Sequence, residues 1–344
     1  MTQSPTLPPL EIDGTSILVT GGTGSFGQWF VKTLLESYRP RRLVVFSRDE
    51  VKQHEMSLSW PAEPDSPIRY FIGDVRDVVR LEMAMRDVDV VVHAAALKQV
   101  PIAEYNPFEC VHTNVYGAEN IVQAALRTGV GQVIALSTDK AVNPINLYGA
   151  SKLAADKIFI AANHLSGARG TRFAVVRYGN VLGSRGSVVP LFLRLLREGA
   201  DSLPITDPRM TRFIITLQQG VDFVLSSLAL MRGGEIFVPK IPSVRLSELV
   251  EALAPGHPTR AVGIRPGEKR HEVLITEDDA RTTVELDDRY VIEPAIHLYD
   301  RRSLSDDGGR LVAEGFRYAS DTNDQWLDVD GARALLRQAE LLPQ

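Results

Sequence analysis

Residues 137–152 read "STDKAVNPINLYGASK": an acid beside an amine (Asp139, Lys140), a tyrosine (Tyr148), and a lysine four residues beyond it (Lys152). Tyr148 and Lys152 form Y-x-x-x-K, a spacing that puts both side chains on one face of a helix. A free phenol, with a reference pKa of about 10, is a poor base at neutral pH. A neighbouring ammonium and an oxidised nicotinamide both favour the phenolate. Tyr148 can then take the proton of an alcohol whose carbon gives up hydride, while Thr138 hydrogen-bonds the same oxygen. Y-x-x-x-K alone is a frequent accident, so its weight depends on the elements around it.

The strand "QVIALS" ends at Ser137 and Thr138, and open α/β sheets bind ligands at the carboxyl ends of their strands. From Ser16 onward, short runs of buried-strand type ("SILVT", "RLVVFS", "IRYFIGD", "VDVVVHAA", "QVIALS", "FAVVRYG") alternate with helical stretches. Such alternation predicts an α/β fold, a doubly wound parallel sheet of Rossmann type covered on both faces. After about Gly179 the rhythm breaks into loops and short elements. The expected division is a flexible lead-in over 1–13 and a nucleotide-binding, catalytic domain over 14–180, to which 214–240 return. A smaller α/β substrate-binding subdomain and tail would take 181–213 and 241–344.

"ILVTGGTGSFG" sets Gly21, Gly24 and Gly27 directly after the first strand, with a helix expected from Gly27. Glycines there allow a tight turn and close approach to a pyrophosphate, which the helix N-terminus attracts. The loop residues Thr23, Ser25 and Phe26 join them as cofactor contacts. An Asp or Glu about 20 residues on would read the ribose of NAD. This chain offers Ser47 and Arg48 there, and Lys52 one turn later. A hydroxyl and two cations suit a 2′-phosphate, so NADP is favoured. In the alternative, Arg48 and Lys52 are solvated charges and Asp49 holds the ribose. Asp74, with Val75, follows the third strand and is placed for the adenine amino group. Ala94, Ala95 and Ala96 follow the fourth and let the backbone pass close to the cofactor. Lys98 is a candidate contact to cofactor or substrate. Asn114 falls in an expected helix, where a buried amide would order neighbouring strands or a water chain.

With 344 residues, 44% hydrophobic and 24% charged, the chain has the composition of a globular protein large enough for two domains. A net charge of −5 argues against nucleic-acid binding. No apolar run is long enough for a membrane span, and the N-terminus lacks the pattern of a secretory signal. The single cysteine, Cys110, excludes a disulfide framework and favours a reducing cytoplasm. The seven histidines show no ligand-like spacing, so no metal site is expected.

The chain resembles the extended short-chain dehydrogenase/reductases, and among them the inverting UDP-N-acetylglucosamine 4,6-dehydratases. The resemblance runs from about Ile17 to Leu327 and rests on "SRDEVKQHEM", "HAAALKQVP", "STDKAVNPINLYGASK", "RYGNVLGSRGSVVP", "DPRMTRF" and "IRPGEKRHEV". Membrane-anchored relatives often carry methionine in place of Tyr148, so the tyrosine implies the soluble type. The resemblance assigns Lys140 as base at sugar carbon 5 and Asp139 as acid at carbon 6. Chemistry independently asks for two such groups: oxidation at carbon 4 acidifies the carbon-5 proton, and the departing carbon-6 hydroxyl must be protonated. The implied product is UDP-2-acetamido-2,6-dideoxy-β-L-arabino-hex-4-ulose, with the hydride returned to carbon 6.

The same resemblance places Asn180 at the diphosphate or sugar and backbone groups of Ser187, Val188 and Val189 at the uracil. Arg185 and Arg212 fall near the diphosphate, and Arg265 or Glu268 near diphosphate and ribose. Arginine forks suit phosphate oxygens. It also implies a homo-oligomer, a dimer or higher. Gln99, Ile214 and Arg270 depart from the pattern, where histidine, an aromatic and leucine are common. The rival readings are a UDP-sugar 4-epimerase, a dehydratase that retains carbon 5 or takes another nucleotide sugar, a net dehydrogenase, and a non-catalytic nucleotide-binding regulator.

Overall fold

The computed structural model describes residues 11–167, 170–297, 299 and 301–343. Strands β1 (Ser16–Thr20), β2 (Arg42–Ser47), β3 (Ile68–Ile72) and β4 (Val90–His93) alternate with helices α1 (Ser25–Ser37), α2 (Glu50–Ser59) and α3 (Val78–Ala84). After β4 come α4 (Val100–Tyr105), α5 (Pro107–Val111) and α6 (Gly117–Thr128), then β5 (Gln132–Thr138), α7 (Leu147–Ala162) and β6 (Arg172–Tyr178). The strands pair in parallel in the order β3-β2-β1-β4-β5-β6, the doubly wound order with its switch point between β1 and β4. Except in the edge strand β3, where only Ile68 is buried, their β-branched runs are buried on both faces, which is why they lack polar alternation.

The chain then forms β7 (Asn180–Val181), α8 (Val188–Arg197), β8 (Leu203–Ile205), β9 (Thr211–Ile215), α9 (Leu217–Leu230) and β10 (Ile236–Pro239). β10 pairs in parallel with β6, so this segment rejoins the large sheet. Trp29 in α1 donates through Nε1 to Gln218 in α9 at 2.8 Å, joining the helices on that face. The remaining elements are β11 (Ser243–Arg245), α10 (Leu246–Leu253), β12 (Thr259–Ala261), β13 (Val273–Ile275), α11 (Glu277–Ala280), β14 (Thr283–Glu285), β15 (Arg289–Ile292), β16 (Arg310–Leu311), β17 (Tyr318–Ala319) and α12 (Val329–Gln338).

Here the structure departs from the expected division. β15, β14 and β16 continue the large sheet beyond β10 as antiparallel strands, although 241–344 were expected in the smaller subdomain. Strands this short carry too few residues for a period to show. A second apolar cluster does lie apart from the main core. It joins Leu182, Phe192, Leu203, Ile214, Leu249 and Leu336, from α8, β8, β9, α10, α12 and the turn after β7.

Residues 1–10 of the expected lead-in lie outside the described residues. Ile12 is buried in the main core, so the ordered chain begins before residue 14. α1 begins at Ser25, two residues ahead of the expected Gly27, with Gly24 as its N-cap. Asn114 lies in a π-helical turn, His112–Tyr116, between α5 and α6. Among the described residues, no helix is long and apolar enough to cross a membrane.

Candidate active site

A cavity of about 740 Å³ opens over the carboxyl ends of β1, β2, β4 and β5 and is closed by residues from α8 and the 265–269 loop. That volume is ordinary for a ligand pocket, about 300–1,000 Å³. One end is walled by the glycine loop. Gly21 has φ +65°, and a Cβ there would stand 2.9 Å from the Ala95 backbone. The loop and the 94–96 segment therefore touch through backbone. Gly24 has no side chain to cap α1, so the first-turn N–H groups remain open to an anion. Gly21, Thr23, Gly24, Ser25, Phe26 and Gly27 all line the cavity.

Ser47, Arg48, Asp49 and Lys52 line it at the end of β2. Ser47 Oγ meets Thr23 Oγ1 at 2.8 Å. The Asp49 carboxylate caps α2 by accepting from Lys52 N at 3.0 Å and is bonded to the Lys52 ammonium as well. Arg48 reaches Asp74 at 3.5 Å, and Arg76 binds the same carboxylate at 2.8 Å. Val75 lines the wall beside Asp74.

Asn114 is buried and does not line the cavity; its work is structural. Its Oδ1 accepts from Leu97 N at 2.8 Å, and its Nδ2 donates to Leu97 O and Ser151 Oγ, both at 2.9 Å. It thereby pins the segment after β4 to α7. Cys110 is fully buried beside it.

The chemistry-bearing residues meet at the junction of β5 and α7. α7 is capped by Asn146, whose Oδ1 accepts from Gly149 N at 2.7 Å. Tyr148, Lys152 and Asp156 follow at intervals of four along its buried face. A Cβ at Gly149 would stand 2.1 Å from Lys140 O, so only glycine lets α7 lie against the 3-10 turn Asp139–Ala141. Lys152 Nζ donates to Leu136 O at 2.7 Å. Burial lowers the Lys152 pKa, and Asp156 opposes that. Burial pushes the Tyr148 phenol up to about 12, while Lys140 and a Thr138 hydrogen bond pull it down.

Asp139 is fully buried, behind the cavity wall. Its Oδ1 accepts from Thr138 Oγ1 at 2.8 Å and from Lys140 Nζ at 2.9 Å. Its Oδ2 has no partner among the described residues. Lys140 lines the cavity and faces a second carboxylate, Glu272 Oε1, at 3.7 Å. Burial works against the Lys140 charge, but Asp139 and then Glu272 outweigh it and raise the pKa.

Glu272 did not stand out in the sequence. It sits inside "RHEV" with no spacing relation to the catalytic helix, just ahead of β13, which packs against the Asp139–Ala141 turn. No local signal in the chain would have found it.

At the far end of the cavity, Asn180, Ser187, Val188, Val189, Arg212, Arg265 and Glu268 all line the wall. Asn180 Oδ1 and Ser187 Oγ are buried without partners among the described residues, atoms that a polar ligand would satisfy. Lys98 also lines the wall and has no carboxylate partner among the described residues; burial, then Arg185 and Lys140, lower its pKa. Arg212 spends its fork on the Thr211, Arg270 and Lys269 carbonyls, so it holds the 269–270 backbone.

Arg185 is not in the wall. Its guanidinium donates to Thr23 O and its N–H to Ser25 Oγ at 3.0 Å, which fastens the 183–187 turn over the glycine loop. Gln99 and Ile214 line the cavity, whereas Arg270 lies 3.8 Å from Asp207.

Comparison with known proteins agrees with this geometry. Residues 17–294 match the model of a family described as polysaccharide biosynthesis protein. The chain is 55% identical over 319 residues to a UDP-N-acetylglucosamine 4,6-dehydratase (inverting) of Campylobacter jejuni subsp. jejuni, covering 91% of this chain and 95% of that protein. It is 42% identical over 284 residues to a UDP-glucose 4-epimerase of Rickettsia canadensis, covering 80% and 82%. Among solved structures it superposes on DesIV, a dTDP-glucose 4,6-dehydratase from Streptomyces venezuelae with NAD and TYD bound. There the TM-score is 0.67 at 26% identity, covering 74% of this chain and 86% of that one. The chain belongs to the polysaccharide biosynthesis protein family, within the extended short-chain dehydrogenase/reductases.

Proposed function

We propose that the protein is an NADP-dependent UDP-N-acetylglucosamine 4,6-dehydratase that inverts carbon 5. The observation that carries this reading is the Lys140 ammonium, set in the same cavity wall as Tyr148 and Thr138 and faced by Asp139 and Glu272. Reversible oxidation at carbon 4 needs only the tyrosine, the threonine and Lys152. A buried acid/base cluster beside them is what elimination of water requires and epimerisation does not.

The glycine loop, the uncapped start of α1 and the cations Arg48 and Lys52 fit a nicotinamide dinucleotide. Asp49, committed to α2 and Lys52, is poorly available to a ribose, which supports NADP over NAD. When bound, the dinucleotide supplies a hydride acceptor for carbon 4 and gives the hydride back at carbon 6. Tyr148 takes the carbon-4 hydroxyl proton, and Thr138 holds that oxygen. Lys140 removes the carbon-5 proton once carbon 4 is a ketone. Asp139 supplies the proton on which the carbon-6 hydroxyl leaves as water. Lys98, Asn180 and Ser187 take the nucleotide sugar.

Incubation with UDP-N-acetylglucosamine in heavy water, followed by NMR, tests this. The expected product is a 4-keto-6-deoxy sugar with deuterium at carbon 5 and the coupling pattern of the inverted centre. UDP-N-acetylgalactosamine with its carbon-6 hydroxyl intact would overturn the reading in favour of a 4-epimerase.

A further inference from the structure

Glu272 is fixed rigidly at the cavity. Its N–H donates to Ser320 Oγ at 2.8 Å, and its carbonyl accepts from Ser320 N at 2.8 Å. The Ser320 hydroxyl is itself tied to Thr211 Oγ1 at 2.7 Å. The side chain is buried, lines the cavity, and leaves Oε2 without a hydrogen-bond partner among the described residues. Four charged groups face it: Lys140 at 3.7 Å, Arg212 at 3.9 Å, Lys269 at 3.9 Å, and Asp139 through their shared lysine.

Lys140 stands between two carboxylates, each with one oxygen free of a hydrogen-bond partner among the described residues. Asp139 Oδ1 is engaged by Thr138 as well as by Lys140. Glu272 makes no hydrogen bond to Lys140 at its 3.7 Å separation, and the proposed reaction does not otherwise use it.

A lysine in this setting has an unsolved difficulty as a base: held as an ammonium, it has no lone pair for the carbon-5 proton. Its own proton must go elsewhere first, and if Asp139 delivers a proton towards carbon 6 it cannot also be the acceptor. We infer that Glu272 is the residue that takes the proton of Lys140, freeing the amine to act at carbon 5; the carbon-5 proton restores the ammonium, which passes a proton to the spent Asp139 and takes back the one on Glu272. The step is a single proton transfer: an N–H bond of the ammonium breaks, an O–H bond forms on Glu272, and a charged pair becomes an amine and a carboxylic acid. Burial of Glu272, and then the charge of Asp139, raise its pKa and favour the proton-bearing form. Arg212, Lys269 and Lys140 itself oppose this. Glu272 acts through Lys140, so it is a positioning residue for the proton and not a group that touches the sugar.

This rests on the dehydratase reading, and the two can fail separately. If the wild type forms no 4-keto product, the functional reading falls before any variant is made. Given an active wild type, the decisive variant is Glu272→Gln, loaded with NADP. Expected at neutral pH is a loss of about 100-fold in kcat, the lower end of general acid–base contributions. KM for UDP-N-acetylglucosamine should stay within about twofold, with reduced nicotinamide accumulating because oxidation at carbon 4 still proceeds.

The pH profile separates proton transfer from mere charge. Removing the Glu272 charge lowers the Lys140 pKa, so a purely electrostatic role predicts a variant as active as the wild type or more so. Under the proposal Lys140 must lose its proton to solvent, and kcat of the variant climbs about tenfold per pH unit on the alkaline side. Glu272→Asp, which keeps a carboxylate, should recover part of the rate with a flat profile like that of the wild type. Unchanged kcat in Glu272→Gln overturns the proposal. So does an equal loss in Gln and Asp variants at every pH, which is also what a folding defect would give.

Discussion

Around the glycine loop the cavity wall is largely backbone and small side chains, drawn from the turns at the ends of β1 and β4. Around Lys140 and Glu272 it is charged side chains, from residues more than 100 positions apart. The first region binds by shape and by N–H groups that cost nothing to reorient. The second holds acids and bases whose charges balance one another, so each group's state depends on its neighbours. A cradle of the first kind tolerates loss of any one side chain better than a cluster of the second.

Paired variants would break this contrast most sharply. Tyr148→Phe should cut turnover by about 1,000-fold, within the general acid–base range, and abolish the transient reduced nicotinamide. Lys140→Ala should cost a similar factor in product formation but keep that transient absorbance and leave NADP affinity intact. Stopped-flow absorbance distinguishes them; loss of NADP binding in Lys140→Ala would remove Lys140 from the acid/base role.

Lys98→Ala comes next, raising KM for UDP-N-acetylglucosamine about tenfold or more, the worth of one charge-assisted hydrogen bond. Steady-state kinetics checks it. Arg48→Ala should weaken NADP about tenfold and NAD little, read by titration with each dinucleotide; Arg48 is half-exposed and its pair with Asp74 adds little stability.

The smallest effect concerns stability. His93, buried at the end of β4 against Phe159, has its pKa pushed down to about 3 by burial and then by Lys152. The unfolded chain therefore binds a proton first. The stabilisation is complete above about pH 6.5 and is lost as pH falls from there towards 3, by up to about 1.4 kcal/mol per unit. His93→Gln should flatten that part of the denaturation profile.

The same contrast explains what could be read from the chain. The glycine loop, Thr138 and the Tyr148–Lys152 pair are local patterns on consecutive elements, and their chemistry shows in the spacing. The strand-end cations after β2 were visible too. Glu272 was not, because its partner Lys140 lies 132 residues earlier and the contact exists only in the folded chain. Arg185 was legible only as a candidate diphosphate contact; its reach back to Thr23 is a property of the folded turn. The antiparallel strands β14 to β16 escaped because each is shorter than the window in which alternation can be recognised.

Asn146 has one more consequence. Its Oδ1 caps α7, while its Nδ2 donates to Gly267 O at 2.7 Å, in the loop that roofs the sugar end. An aspartate would cap the helix as well but has no N–H to offer the loop. The amide is thus a latch: the loop cannot lift without letting go of the very residue that starts the tyrosine's helix.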